Sequence, residues 1–158
     1  MKDRGRLNAE IQILIRHFSE ARVYWESQGN WVMIKKWLLP SGLTKKKSHV
    51  MVLIPGNYGN GDPLRDSFID PDIKAYNGDK GQYENIPHYF ARYPYTKLKL
   101  IMGTKEDWQK KGWQYICLHD TRDTQNRTSI LNYLTHLYKF LAEPFRDWRK
   151  TFSSYGGN

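Results

Sequence analysis

The sequence predicts an α+β domain in which helices cover an antiparallel meander. Three observations carry this reading. An amphipathic repeat opens the chain, segments rich in aromatic and branched residues follow at hairpin distance, and a second amphipathic repeat comes after the single cysteine. Elements in that order give one sheet with a face for helices to cover.

The first helix is predicted over residues 6–26. Leu7, Ile11, Leu14, Ile15, Phe18 and Arg22 recur at helical spacing without a proline, and Gln28-Gly29-Asn30 ends the helix. Residues 31–39 read as a strand closed by Pro40-Ser41-Gly42. Lys45-Lys46-Lys47 marks a solvated turn, and residues 49–54 supply the hairpin partner. The next stretch, Pro55-Gly56-Asn57-Tyr58-Gly59-Asn60-Gly61-Asp62-Pro63, is too rigid for a linker, because prolines fix both ends while glycines between them permit positive φ.

A short strand over 64–70 comes next, closed by Asp70-Pro71-Asp72. Residues 72–95 predict a long irregular excursion, with Ile86-Pro87-His88-Tyr89-Phe90 packing back on the core. Alternation predicts a strand over 97–102, while charged and polar runs read as a solvated turn or short helix over 105–111 and a polar loop over 120–127. The clearest helix follows. Thr128 or Ser129 caps it, Ile130, Leu134, Leu137 and Leu141 share one face with Leu131 and Tyr138 beside them, and Pro144 ends or bends it. Residues 145–152 add another turn or two, so 1–152 read as one domain and 153–158 as a flexible tail.

Composition bounds the function. One cysteine in 158 residues excludes an internal disulfide and a cysteine-based zinc cage, and fits a reducing compartment. No apolar run reaches membrane-spanning length and Met1-Lys2-Asp3-Arg4-Gly5 starts no signal peptide, so the expected location is cytoplasmic, without a membrane partner. The formal charge of +9, from 25 basic and 16 acidic residues, fits either nucleic acid or an acidic protein partner. The basic residues lie in short scattered groups with no glycine-aromatic RNA motif, which argues against nucleic acid.

Gln114-Tyr115-Ile116-Cys117-Leu118-His119-Asp120 is the stretch that concentrates chemistry. Trp113, Tyr115 and Ile116 read as a buried strand that delivers a thiol to a polar loop. Two readings of Cys117 stand at this point: a reactive thiolate, or a small buried hydrophobe.

Three features in order resemble the ubiquitin-conjugating enzyme family. Pro55, Tyr58 and Pro63 fall on the spacing of the family's proline-tyrosine motif after a strand, although Gly59 and Asp62 replace two of its prolines. Ile116-Cys117-Leu118 is similar to the isoleucine-cysteine-leucine around the family's thioester-forming cysteine. Ser129-Ile130-Leu131 through Leu141-Ala142-Glu143-Pro144 resembles the helix after the active site. Together with Pro87-His88-Tyr89-Phe90 and Leu141-Ala142-Glu143-Pro144-Phe145, these resemble the bacterial conjugating-enzyme-like proteins encoded beside cyclic-nucleotide synthases in CBASS antiphage defence, or in related ubiquitin-like operons.

The resemblance covers most of residues 31–145 and raises the reactive reading of Cys117 above the inert one. It implies a UBC-like fold with truncated C-terminal helices, no metal or organic cofactor, and trans-thiolation of a partner's C-terminus to an amine. The implied cargo is a cyclic-nucleotide synthase or a ubiquitin-like protein, charged with or without a separate activating enzyme. Two departures stand out. Lys110-Lys111-Gly112-Trp113-Gln114-Tyr115 lacks the family's histidine-proline-asparagine, and Asp123-Thr124-Gln125-Asn126-Arg127 replaces its tryptophan-serine-proline.

Thioester chemistry needs a group to support the oxyanion and one to deprotonate the amine. His119, two residues beyond Cys117, is a candidate base or donor, against a solvated loop histidine. His88 is a candidate stand-in for the missing motif, against a satisfied packing residue. Asn126 is a candidate amide donor, against a turn residue, and Asp120 and Asp147 are candidates for orienting the lysine, against plain surface carboxylates. A scaffold of the same fold that binds cargo without chemistry is the alternative the missing asparagine favours.

Overall fold

Asp3 starts the first helix. Its carboxylate accepts the Arg6 backbone N–H at 3.0 Å and caps α1 (Arg4–Phe18), satisfying one of the N–H groups a helix leaves unpaired at its start. This computed structural model describes residues 1–87, 113–118 and 129–146. The helix expected to reach residue 26 stops at Phe18, because Ser19 takes φ 102° and turns the chain out of the helical path. A 3₁₀ turn (Glu20–Arg22) carries Arg22, and β1 (Val23–Trp25) follows. Val23, Tyr24 and Trp25 are branched or aromatic, and pairing against the next strand prevails over the helical period. Gln28-Gly29-Asn30, read as a helix stop, belongs to the hairpin between those strands: Glu26 N–H donates to the Trp31 carbonyl, and Gly29 holds φ 76°.

The remaining strands are β2 (Trp31–Leu38), β3 (Lys47–Leu53), β4 (Asp66–Ile69), β5 (Lys74–Asn77), β6 (Gln82–Asn85) and β7 (Gln114–Cys117). The described sheet has the antiparallel order β1-β2-β3-β4-β7, and β5 and β6 pair separately. The region expected to be irregular over 72–95 therefore opens with a hairpin. Its turn is made by Asn77, whose carbonyl accepts from Lys80 and Gly81 and whose side-chain oxygen accepts from Asp79 N–H at 3.1 Å. Tyr76 and Tyr83 face each other across it with ring centroids 5.4 Å apart. Ile86 returns to the core as expected; His88, Tyr89 and Phe90 lie outside the described residues. So do the expected strand over 97–102, the turn over 105–111, the loop over 120–127 and the tail.

Strand alternation assigns the two faces. Val32, Ile34, Val50, Val52 and Ile69 pack against Leu7, Ile11 and Leu14 of α1 and against α2 (Ile130–Ala142). The expected stripe of Ile130, Leu134, Leu137 and Leu141 is buried, joined by Tyr133 and Phe140. Met51, Leu53 and Phe68 form a second cluster on the other face with Trp31, Met33, Trp113 and Tyr115. A β-bulge separates Ile34 from Trp37, with Lys36 at φ 54°; Arg22 donates to the Lys35 and Lys36 carbonyls at 3.0 and 2.7 Å and satisfies the interrupted ladder. Among the described residues no helix is long and apolar enough to cross a membrane.

Candidate functional site

Cys117 is the last residue of β7, and its backbone stands opposite Asp66 of β4. The antiparallel ladder runs one step beyond it, since Leu118 N–H donates to the Arg65 carbonyl at 2.9 Å. The strand expected at this point is present, buried at Ile116 (1% exposed) and half-buried at Trp113 and Tyr115. Among the described residues β7 is an outermost strand of the sheet.

A buried chain of hydroxyls fixes that position. Ser67, opposite Ile116, donates from Oγ to the Ile116 carbonyl at 3.1 Å. Tyr133 reaches over from α2, its hydroxyl 3.0 Å from the Arg65 carbonyl and 3.1 Å from Ser67 Oγ. Burial pushes the Tyr133 phenol far above its ordinary range; the Ser67 hydrogen bond opposes this and the nearby Asp66 carboxylate adds a smaller upward push, so the phenol stays a neutral donor. On the same two strands Tyr115 donates to Asp66 Oδ1 at 2.5 Å, a charge-assisted bond directly beside the Cys117 position. Gln114 Oε1 accepts from Ile73 N–H at 3.3 Å and ties the start of β7 to the chain before β5.

A second network sets where α2 begins. Glu10 is 7% exposed on the apolar face of α1, between Leu7 and Ile11. The Tyr58 hydroxyl lies 2.7 Å from both its carboxylate oxygens, the Ile130 N–H donates to Oε1 at 2.7 Å, and Arg6 Nε donates to Oε2 at 3.0 Å. One carboxylate thus joins α1, the β3–β4 connection and the first N–H of α2, where the helix dipole favours negative charge. Ser129 completes the start by accepting Asn132 N–H at 3.1 Å, which selects Ser129 as the N-cap; Thr128 lies outside the described residues. Burial and the Glu10 hydrogen bond push the Tyr58 phenol far above its usual range. Burial works to lower the Arg6 guanidinium, but its bond to Glu10 and the added pull of Tyr58 and the Glu10 charge together outweigh it and raise it. Gly59 packs against α1 at φ 86°, where a Cβ would come within 2.7 Å of Asp3 Cβ.

The two networks hold the two ends of the segment linking Cys117 to α2, Leu118 through the Arg65 carbonyl and Ile130 through Glu10. His88, His119, Asn126, Asp120 and Asp147 lie outside the described residues. The sequence reading missed Glu10, Ser67 and Tyr133, and placed Tyr115 on the strand without its bond to Asp66. Glu10 had a signal, a lone acid inside an apolar stripe; Tyr133 had a weaker one, a hydroxyl among the leucines of α2. No described group of three or more histidine, cysteine, aspartate or glutamate side chains is arranged to hold a metal ion. No family model matches the chain, and no curated protein or solved structure matches it either.

Proposed function

We propose that the chain is a ubiquitin-conjugating-enzyme-like transferase of the cytoplasm, with residues 1–152 as its catalytic domain. Cys117 carries a partner protein's C-terminus as a thioester and passes it to a lysine. The observation that carries the reading is Ile116-Cys117-Leu118 at the end of a strand pinned to β4, following in sequence the buried Tyr58 of the proline-tyrosine segment and preceding the capped helix α2.

The chemistry has two steps. The Cys117 thiolate attacks the C-terminal carbonyl of a cargo already activated by an ATP-using enzyme; the C–S bond forms and the activating group leaves. A lysine amine then attacks the thioester carbonyl, the amide bond forms, the C–S bond breaks to regenerate thiolate, and a base takes the amine proton. His119 is assigned as base, with His88 and Asn126 as oxyanion donors. The cargo is a cyclic-nucleotide synthase in bacterial antiphage defence, with a ubiquitin-like protein as the other candidate.

Intact mass spectrometry of the protein co-expressed with its genomic neighbours tests this. Wild type is expected to carry a thiol-labile adduct and Cys117→Ser a thiol-stable ester of the same mass. A non-covalent complex without an adduct on either would favour a scaffold that binds the cargo. The absence of asparagine from residues 110–115 is the specific observation on that side.

A further inference from the structure

A groove of about 420 Å³ lies between the end of α1, the β2 bulge and the middle of α2, away from Cys117 along the fold. Its floor is buried, with Trp37 5% and Leu134 2% exposed, while Leu38 and Tyr138 beside it are 60% and 43% exposed. Tyr138 meets Trp37 edge-on with ring centroids 6.3 Å apart. Two exposed apolar side chains above a formed apolar floor make a slot for an anchor side chain, and the volume falls within the range of ligand clefts.

Charge defines what the anchor belongs to. Arg22 lines the groove, half-buried, and donates to three carbonyls: Lys35, Lys36 and Phe18. These acceptors are neutral, no described carboxylate pairs with the guanidinium, and two of its five N–H donors have no described partner. Its stem is fixed by the bulge and its plane lies over Phe18 at 5.6 Å, so the fork is held in place before any ligand arrives. Among the residues that line the groove, Arg22 carries a fixed positive charge and none is acidic.

We propose that this groove docks a linear acidic segment of a partner protein. A bulky apolar side chain of that segment fills the slot between Trp37, Leu38 and Tyr138, and a neighbouring aspartate or glutamate carboxylate pairs with the Arg22 guanidinium. The leucine-floored shape fits an aliphatic or aromatic anchor, whereas a nucleic-acid strand needs a row of cations along a stacking platform. The inference holds whether or not Cys117 is reactive.

The test is fluorescence anisotropy of the full chain with a dye-labelled peptide carrying a leucine-phenylalanine pair between aspartates and glutamates. Wild type is expected to bind it, more weakly as salt is raised, and to bind a lysine-substituted peptide or one with alanines in place of the anchor at least about tenfold more weakly. Leu38→Glu and Tyr138→Glu change exposed positions, so the fold is expected to persist and affinity to fall at least about tenfold. Tyr83→Glu on the distant hairpin is expected to bind as wild type. Equal affinity of Leu38→Glu at an unchanged unfolding midpoint would overturn the proposal, as would equal binding of the lysine peptide or no binding at all. Displacement by a tighter-binding single-stranded oligonucleotide would reassign the groove to nucleic acid.

Discussion

Glu10→Ala is the sharpest probe of how this protein is held together. The substitution removes the acceptor of the Tyr58 hydroxyl and the Ile130 N–H, both in buried surroundings, and the partner of Arg6. Each buried donor that loses this acceptor costs about 1–3 kcal/mol, and the half-exposed Arg6 pair adds less than about 1 kcal/mol. Releasing a desolvated carboxylate offsets part of this, which leaves an expected loss of about 3–5 kcal/mol, the range for removing one partner of a buried charged cluster. Glu10→Gln retains an acceptor without the charge and is expected to lose about half as much. Urea unfolding followed by circular dichroism measures both. Tyr58→Phe gives the control: in the wild-type background it costs about 1.5–3 kcal/mol, and in the Glu10→Ala background, where its bond to Glu10 is already gone, it costs clearly less. Additive effects of the two substitutions, or a Glu10→Ala loss below about 1 kcal/mol, would refute the clasp.

Gly59→Ala places a Cβ against Asp3 at a positive φ and is expected to lower stability by about 1–3 kcal/mol, read from the same unfolding curves. Tyr133→Phe deletes the hydroxyl over Arg65 and Ser67, and is expected to cost about 1–2 kcal/mol and to speed hydrogen exchange of the Leu118 amide, because that N–H shares the Arg65 carbonyl. The buried phenols of Tyr58 and Tyr133 are held neutral in the fold, with values raised above those of the unfolded chain. Their contribution is therefore complete below about pH 10 and falls as the unfolded chain ionises above it, at about 1.4 kcal/mol per pH unit for each group. Either Tyr→Phe substitution should flatten the alkaline limb of a stability–pH curve, and an unchanged slope would contradict this.

The parts of the fold that announce themselves in the sequence are those with sustained periodicity. Ile130, Leu134, Leu137 and Leu141 repeat over a whole helix, and the paired strands β2 and β3 lie within a residue or two of where their composition puts them. Val23–Trp25 escaped because three residues are too few to interrupt a helical count, and Ser19 carries no marker of its positive φ. The β5–β6 hairpin was hidden by its turn, which uses Asn77 carbonyl and side chain together in a polar run. At the candidate site, the strand into Cys117 was legible from its apolar neighbours. Glu10, Ser67 and Tyr133 were not, since what matters about each is a partner far away along the chain.

The strand that ends in Cys117 differs from the others in how its pairing is reached. β1 to β4 each pair with a neighbour along the chain, whereas β7 returns to β4 across residues 70–113. Closing the longer loop carries a larger entropic cost before any contact offsets it, so the meander can assemble first and β7 is placed to dock late. The cysteine then takes up its native surroundings only once Ser67 and Tyr133 are themselves in register. A chain still emerging or partly unfolded therefore lacks the pairing that sets the backbone of Cys117 opposite Asp66.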